Sequence, residues 1–299
     1  MYRPARRKPS RPLFVNLDGR LLPATRAHVN VFDRGLLYGD GLFETLRAYR
    51  GKPFQLAAHG ARLDSSARFL GIVPPRREWR ADIEALLRRN RLITTDASVR
   101  ITITRGVAAP RLLPPVRARP TVIIAAGRID RSLRQAQNHG ASVVLLPFAR
   151  DGFLAEHKIL NYLPAVLGKV IAARHQAFEA LFVTPDGHVT EGTVCNVFVW
   201  RSDRLVTPPA TSILPGITRR IVIEAAIADG YRVAEEPLNT AELLSADEAF
   251  LTSSLAEIVP ITAVESQKIA TGQVGPRTRR LQQLYRQIVD QALRQHRRN

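Results

Sequence analysis

The chain is organised around residues 156–196, which read EHKILNYLPAVLGKVIAARHQAFEALFVTPDGHVTEGTVCN. Lys158 comes first, and the apolar run behind it predicts a helix that carries Pro164 in its first turn, where the missing N–H costs nothing. Residues 185–187 are Pro-Asp-Gly and favour a tight turn, so a hairpin is expected after the helix. The second strand of that hairpin carries one carboxylate, Glu191.

Lysine is scarce in this sequence. Of the 44 basic residues five are lysines, which leaves 39 arginines. Arginine does not lose its proton, whereas a desolvated lysine can become a neutral nucleophile and form a Schiff base with a carbonyl substrate or with pyridoxal phosphate. The alternative for Lys158 is a partly buried lysine whose aliphatic stem packs on its neighbours.

Glu191 lies in mid-strand and shares one face with Val189, Thr193 and Val197, so it is expected to point inward. A buried carboxylate needs a partner. A protonated pyridine nitrogen would be one such partner, and one of the many arginines would be another.

Length and composition restrict the classes of protein. The 299 residues allow about two domains, and 45% hydrophobic residues exclude global disorder. Cys195 is the only cysteine, which excludes an internal disulfide and a cysteine-cluster metal site. Because the sequence has no run of about 18 apolar residues, we expect a soluble cytoplasmic protein with no membrane or metal partner.

The formal charge of +18 raises the possibility of nucleic-acid binding. The excess is spread over the two termini and the helix faces, and no aromatic RNA-binding motif, zinc spacing or helix-turn-helix pattern accompanies it. Solvated surface therefore explains the charge better than specific nucleic-acid recognition.

Changes in composition divide the chain. Residues 128–139 contain few apolar side chains and separate two strand-rich parts. The predicted organisation is a basic N-terminal arm at 1–12, an N-terminal domain at 13–127, a linker at 128–139, and a C-terminal domain at 140–299 that ends in a basic helix.

Three features could bind a phosphate. Gly216, Ile217 and Thr218 open a predicted helix, where unpaired N–H groups and the helix dipole favour an anion. Residues 252–254, Thr-Ser-Ser, supply hydroxyls and amides on a turn, and Arg62 offers a charged donor. Each feature alone also has an ordinary structural explanation, so only the three together indicate a phosphate-binding site.

Taken in order, these residues resemble the fold-type IV (class IV) pyridoxal-phosphate aminotransferases. The motifs that carry the resemblance are Arg62, Lys158-x-x-Asn161-Tyr162, Glu191-Gly192, Asn196, Leu214-Pro215-Gly216-Ile217-Thr218-Arg219 and Thr252-Ser253-Ser254-x-x-Glu257. The likeness extends from residue 13 to about residue 264. It implies an α/β chain with a D-amino-acid aminotransferase-like fold, namely a small N-terminal α/β domain, a larger C-terminal pseudo-barrel domain, and pyridoxal 5'-phosphate between them in a homodimer.

The resemblance also implies roles for individual residues. Lys158 would bond the cofactor aldehyde carbon and move the proton at the substrate Cα, Glu191 would pair with the ring nitrogen, and Tyr162 would approach the phenolic oxygen. The remaining cofactor contacts are expected at Arg62, Asn196, Ile217, Thr218, Ser253 and Ser254. Substrate contacts are expected at Tyr38, Phe43, Arg100, Arg111 and Leu255.

The expected activity is transfer of an amino group from a branched-chain L- or D-amino acid to a 2-oxo acid in two half-reactions. The family's D-amino-acid branch typically has an Arg-x-His pair before the second strand, but here Leu113 stands two residues after Arg111 in place of the histidine. Aminodeoxychorismate lyase, which eliminates pyruvate, shares the lysine and the cofactor and is the first alternative. A nucleic-acid-binding protein on an enzyme scaffold is a more distant one.

Overall fold

The computed structural model describes residues 13–149, 152–211 and 213–295. The predicted arm at 1–12 lies outside these residues. The first part of the chain contains β1 (Phe14–Leu17), β2 (Arg20–Pro23), a 3-10 turn (Ala24–Arg26), α1 (Arg34–Tyr38), β3 (Gly41–Tyr49), β4 (Lys52–Pro53), α2 (Leu56–Leu70), α3 (Trp79–Arg89), β5 (Ala97–Thr104) and β6 (Thr121–Arg128).

The second part begins with a helix and contains the longer series of strands. Its elements are α4 (Ser132–His139), β7 (Ala141–Leu146), α5 (Gly152–Ala155), α6 (Leu163–Arg174), β8 (Glu179–Val183), β9 (His188–Gly192), β10 (Asn196–Arg201), β11 (Arg204–Thr207), α7 (Ile217–Ala228), β12 (Arg232–Glu235), β13 (Leu238–Asn239), α8 (Thr240–Leu244), β14 (Glu248–Ser253), β15 (Glu257–Val264), β16 (Gln267–Lys268) and α9 (Pro276–Gln295).

The first sheet is antiparallel, with the strand order β2-β1-β6-β5-β3-β4. Strand β3 buries Leu42 and Leu46 on one face of this sheet, and α2 and α3 cover that face with Leu63, Ile83 and other apolar side chains. The opposite face of β3 carries Phe43 and Thr45, because side chains alternate along a strand. One face of this sheet is therefore core, and the other is free to line a site.

The second sheet has the order β12-β11-β10-β14-β15-β7-β8-β9-β13, with β16 also pairing with β15, and it curls into a half-barrel. It is mixed, since β7 runs parallel to both β15 and β8 while β10 and β14 are antiparallel. A cluster with Tyr49 and Phe54 from the first part and Trp200, Phe250 and Tyr285 from the second joins the two parts. The two-sheet α/β architecture confirms the expected fold class.

Residues 128–139, predicted as a linker, complete β6 and form α4. The helix packs on β15, and the Gln137 side-chain amide donates to the Ala256 carbonyl at 2.7 Å. Tertiary contact of this kind, rather than an apolar stripe, orders the segment. The domain bounds at 13–127 and 140–299 stay a prediction, while the terminal helix is present as α9.

Within the described residues, no helix is both long and apolar enough to cross a membrane. The same part of the chain contains no group of three or more histidine, cysteine, aspartate or glutamate side chains arranged to hold a metal ion.

Candidate active site

A cavity of about 500 Å³ opens between the two sheets. The first sheet contributes β3 and β5 to its wall. The second part of the chain contributes the starts of α6 and α7 and the turn after β14. Most of the site residues predicted from the sequence line this one cavity: Arg62, Phe43, Arg100, Lys158, Tyr162, Glu191, Asn196, Ile217, Thr218, Ser253, Ser254 and Leu255.

Lys158 is held by backbone pairing with the start of β3. Its carbonyl accepts from the Phe43 N–H at 2.9 Å, and the Leu160 N–H donates to the Gly41 carbonyl at 3.0 Å. These bonds make a short antiparallel bridge that ties the lysine's loop to the first sheet. Lys158 is buried and lines the cavity, and the neighbouring backbone pairing fixes the position of its loop.

Two aromatic rings surround the Lys158 amine. Its Nζ lies 4.7 Å from the centroid of the Phe43 ring and donates to the Tyr162 hydroxyl at 3.4 Å. Tyr162 precedes the first turn of α6 and meets Phe43 edge to face, with ring centroids 4.8 Å apart. The two rings therefore flank the amine where Lys158 lines the cavity.

Glu191 points inward from β9 and is buried, as predicted. Its Oε2 accepts from the Leu214 N–H at 3.1 Å, and the Asn196 side-chain amide donates to the Leu214 carbonyl at 2.9 Å. Both side chains thus hold the peptide groups of Leu214, just before the residues that open α7. Asn196 and Glu191 therefore also fix the position of that helix start.

The start of α7 is suited to an anion. Gly216 occupies the N-cap with no side-chain cap, so amides of the first turn point into the cavity without an intrahelical acceptor. A Cβ on Gly216 would lie 2.0 Å from the Asn196 side-chain oxygen, which leaves glycine as the residue that fits. The backbone here can therefore approach a bound group closely.

Arg62 reaches the same place from α2. Its Nη1 donates to the Pro215 carbonyl at 2.9 Å, which puts the guanidinium beside the start of α7. Its Nε and Nη2 donate to the two carboxylate oxygens of Glu44 at 2.7 and 2.8 Å. The arginine is consequently held in one orientation before any ligand arrives.

Sequence reasoning missed the group that holds Arg62. Glu44 is buried in β3, and the His59 ring nitrogen Nδ1 lies 2.7 Å from its Oε2. Burial alone would raise the pKa of Glu44, but hydrogen bonds from Arg62 and His59 outweigh burial and lower the pKa to about 2. Burial also lowers the pKa of His59. The signal was present in the sequence, because Glu44 shares one face of its strand with Leu42 and Leu46 in the same way that Glu191 shares a face with Val189.

The turn after β14 supplies hydroxyl groups. Ser253 Oγ accepts from the Ala256 N–H at 3.2 Å, which closes the turn. Thr252 Oγ1 lines the cavity and is buried with no hydrogen-bond partner among the residues that the structure describes. A buried hydroxyl without a partner is costly, so this atom is suited to a bound ligand.

Tyr38 and Arg111 do not line the cavity of their own chain. Tyr38 ends α1, where the Arg34 guanidinium lies 4.8 Å from its ring centroid. Arg34 also donates to the backbone carbonyls of Arg111 and Leu112 at 2.6 and 3.0 Å. Both predicted substrate residues therefore belong to one region organised by Arg34, and neither lines the cavity that contains Lys158.

The residues present fit a cofactor with an aldehyde, a ring nitrogen and a phosphate. The cavity is lined by a lysine, by a buried carboxylate, and by an uncapped helix start with a glycine and a fixed arginine. The unpaired Thr252 hydroxyl adds a donor where such a group would bind. Fold and site together define a pyridoxal-phosphate enzyme.

Comparison with known proteins agrees with this class. The family model for amino-transferase class IV matches residues 41–264. The chain is 39% identical to a putative branched-chain-amino-acid aminotransferase of Methanocaldococcus jannaschii over 92% of this chain and 96% of the relative. It is 35% identical to a D-alanine aminotransferase of Bacillus licheniformis over 90% and 94%, and 32% identical to an aminodeoxychorismate lyase of Bacillus subtilis over 92% and 94%.

Solved structures show the same relationship. The branched-chain amino acid aminotransferase of Escherichia coli superposes with a TM-score of 0.84 at 31% identity and covers 91% of this chain and 93% of that one. The chain belongs to the class IV aminotransferases. It is a transaminase, and its cofactor is pyridoxal 5'-phosphate.

Proposed function

We propose that this transaminase exchanges amino groups between apolar, branched-chain amino acids and a dicarboxylic partner, and that Arg100 binds the substrate carboxylate. The observation that carries the proposal is a cationic group inside the cavity that lacks an acidic partner. Among the described residues, Arg100 forms no ion pair, and its Nε donates only to Thr102 Oγ1 at 3.2 Å. A bound carboxylate would supply the missing counter-charge.

The surroundings of Arg100 support this role. Its guanidinium lies 3.6 Å from the centroid of the Phe43 ring, and burial lowers its pKa below the usual arginine value. Arg100 is paired across the sheet with Thr45, which also lines the cavity. Part of the Arg100 side chain is exposed, and a substrate that covers it would shield the ion pair from water and so strengthen it.

The apolar part of a substrate has its own surface. Phe43, Tyr162 and Leu255 line the cavity near Lys158 and offer two rings and a branched aliphatic side chain. An apolar side chain of the substrate can pack there while its carboxylate meets Arg100. This arrangement fits both a branched-chain amino acid and the aliphatic chain of a dicarboxylic acid.

In the proposed mechanism, the bound cofactor supplies an electron sink that stabilises negative charge at the substrate Cα. The Lys158 amine, displaced by the incoming amino group, would take the proton from the substrate Cα and deliver it to the carbon that carried the cofactor aldehyde, so that the amino group stays with the cofactor. Glu191 would keep the cofactor ring nitrogen protonated. Arg62, the first amides of α7 and Ser254 would hold the phosphate, so that the ring stays still while the amine of Lys158 moves.

A panel of D- and L-amino acids tests the proposal, scored by the spectral change of the cofactor in a single half-reaction. We expect branched-chain and dicarboxylic amino acids to react, and Arg100→Gln to raise the KM of both classes by roughly tenfold to a hundredfold with a small change in kcat, because both carry the carboxylate that Arg100 is proposed to bind. Arg20→Gln, on the outer edge strand β2, is the control. An unchanged KM for every substrate in Arg100→Gln would refute the role of Arg100.

The same half-reaction distinguishes lyase activity, which the relationship to aminodeoxychorismate lyase makes the second candidate. A transaminase converts its cofactor stoichiometrically to the pyridoxamine form when given an amino acid alone. Release of pyruvate from the chorismate derivative without that conversion would favour the lyase.

We also propose that the active form is a homodimer. Large apolar side chains are exposed on α1, on the loop that follows β5 and on α6, and they include Leu36, Leu113 and Leu167. The same region carries Tyr38 and Arg111. A second copy seated on this face would cover the apolar surface and could bring its own Tyr38 and Arg111 toward the cavity.

Mixing two inactive variants tests this arrangement. Lys158→Ala and Arg111→Glu chains, mixed after dissociation, would form heterodimers with one intact site, and we expect about a quarter of the wild-type activity to return. No recovery, together with dimers that form normally, would mean that Arg111 does not act across the interface. A monomer at working concentration would refute the dimer itself.

We place the enzyme in the cytoplasm, in keeping with a single, buried cysteine.

A further inference from the structure

A second concave surface lies behind the cofactor cavity. It is a groove of about 450 Å³ between the β3–β4 turn, α4 and α9, and none of the residues given roles above lines it. Three exposed arginines from three separate elements stand at its rim: Arg50 in the turn, Arg134 on α4 and Arg286 on α9. We call this surface the rear groove.

The rim arginines carry uncompensated charge. The side chains of these three arginines form no ion pair or hydrogen bond within the part of the chain that the structure describes, whereas many other arginines of the molecule are paired with acids. Asp290 on α9 is the acidic residue at this rim that likewise lacks an ion pair with a described residue. The rim therefore has an excess of positive charge, and guanidinium groups match the oxygens of phosphate and carboxylate.

The floor of the rear groove is polar and internally bonded. Arg47 pairs with Asp96 at 2.7 Å and with Glu257 at 3.1 Å, and the Tyr49 hydroxyl donates to Glu257 at 2.6 Å. Because Arg47 is already paired with two carboxylates, an anion would be held by the rim arginines rather than by the floor. It provides a fixed base under the three rim arginines.

The floor also touches the back of the cofactor site. Arg47 Nη1 donates to the Leu255 carbonyl at 2.9 Å, and Gln137 donates to the Ala256 carbonyl at 2.7 Å. Leu255 and Ala256 belong to the turn that lines the cofactor cavity. The next residue, Glu257, has a positive φ of 56°, a conformation that its contacts with the floor maintain. The rear groove and the proposed phosphate turn thus share one hydrogen-bonded wall.

We infer that the rear groove is a second binding site for a small multivalent anion, of the phosphate or carboxylate class, and that its occupation stabilises the turn at residues 252–256. An anion between Arg134 and Arg286 would tie α4 to α9 on either side of Gln137 and the floor. A ligand that binds only while α4 and α9 are packed against the floor stabilises that packing and opposes their separation. The coupling to the turn rests on the proposed function, whereas the binding does not.

Binding is tested on the cofactor-loaded enzyme, so that the cofactor phosphate site is already filled. Pyrophosphate and citrate are titrated separately by calorimetry at constant ionic strength, and the two arms distinguish a phosphate from a carboxylate source. We expect saturable binding of at least one anion, weakened about tenfold or more in Arg134→Glu/Arg286→Glu. The control, Arg20→Glu/Arg76→Glu, makes the same change in net charge on exposed arginines outside the groove and should bind as the wild type does.

Coupling is tested by the rate at which cofactor leaves the enzyme, followed with a trap for free pyridoxal phosphate. The anion should slow release in the wild type and in the control variant, and should not slow it in Arg134→Glu/Arg286→Glu. No saturable binding of either anion, or equal loss in both double variants, would overturn the site. Binding that leaves the release rate unchanged would overturn the coupling. Neither result depends on turnover, so failure of the proposed transamination would be seen separately.

Discussion

The wall of the cavity around Arg62 and the wall around Arg100 use the same side chain in opposite ways. Arg62 is held by both oxygens of Glu44 and by the Pro215 carbonyl before any ligand binds. Arg100 lies over the Phe43 ring and has no acidic partner among the described residues. Arg62 is therefore oriented before a ligand binds, whereas Arg100 would gain its counter-charge from the ligand.

The difference matches what each wall is proposed to hold. A cofactor stays bound through many turnovers, so an arginine that is already oriented loses little entropy when the phosphate arrives. Substrates and products must leave in every half-reaction, so a tightly paired arginine would gain nothing there. The two walls use the same residue type and differ in whether the arginine is already paired with a carboxylate. The paired arginine lies in the wall proposed to hold the cofactor, and the unpaired one lies in the wall proposed to bind substrates.

The largest expected effect comes from removing the group between the two walls. Lys158→Ala should lower transamination by at least about a thousandfold, because it removes both the nucleophile and the proton carrier. Borohydride reduction followed by mass spectrometry should no longer attach cofactor to the chain. Lys268→Ala, at an exposed lysine of β16, should behave as the wild type. Retained covalent attachment in Lys158→Ala would place the reactive lysine elsewhere.

Glu44→Gln should remove the restraint on Arg62. The pKa of Glu44 falls from 4.5 to about 2 on folding, so its contribution to stability is complete above pH 4.5 and is lost as the pH falls toward 2. We expect the free energy of unfolding at pH 7 to drop by about 3 kcal/mol, and the gap to the wild type to close between pH 4.5 and 2.

Urea unfolding at several pH values measures this gap. Glu84→Gln is the matched control, since Glu84 forms only loose pairs with Arg80 and Arg88 at 3.9 and 3.7 Å on the surface of α3. A constant difference between Glu44→Gln and the wild type from pH 7 to pH 2 would contradict the assignment of the stabilisation to an ionised Glu44.

Arg62→Lys tests the comparison most directly. A lysine keeps the charge but cannot bond both oxygens of Glu44 while reaching the helix start, so we expect cofactor affinity to fall roughly tenfold. Fluorescence titration with pyridoxal phosphate gives the Kd, and Arg68→Lys, exposed on the same helix, is the control. If Arg62→Lys altered substrate KM and left the cofactor Kd unchanged, the two walls would have been assigned the wrong way round.

The smallest expected effects concern two glycines. Gly216→Ala should lower the free energy of unfolding by about 1–3 kcal/mol, because its Cβ would press on the Asn196 side-chain oxygen. Gly60→Ala, in the middle of α2 with nothing near the added carbon, should raise stability by up to about 1 kcal/mol. Thermal unfolding compares them, and equal shifts in the same direction would show that contact with Asn196 is unimportant.

Local pattern was enough to predict many parts of the molecule. Strand alternation placed Glu191 inside, the proline near the start of α6 and the glycine before α7 marked helix starts, and a rare lysine marked the centre of the cavity. These signals succeeded because each depends on a few neighbouring residues. The order of the motifs then allowed the family, its fold class and its cofactor to be predicted.

Other features depend on residues far apart in the chain. The bond between Arg62 and Glu44, the backbone pairing of Lys158 with β3 and the docking of α4 on β15 join segments whose proximity no local pattern reports. Tyr38 and Arg111 show the same limit, since only the folded chain reveals that they lie outside their own cavity.

The sequence by itself therefore determined which chemical groups this protein carries, which of them face inward, and the family to which it belongs. The tertiary structure decided which arginine is paired and which is open, what restrains the reactive lysine, and that a second arginine-rimmed groove lies behind the cofactor site. The physical reason is that side-chain direction is a local property of helices and strands, whereas charge compensation depends on which distant segments packing brings within a hydrogen bond.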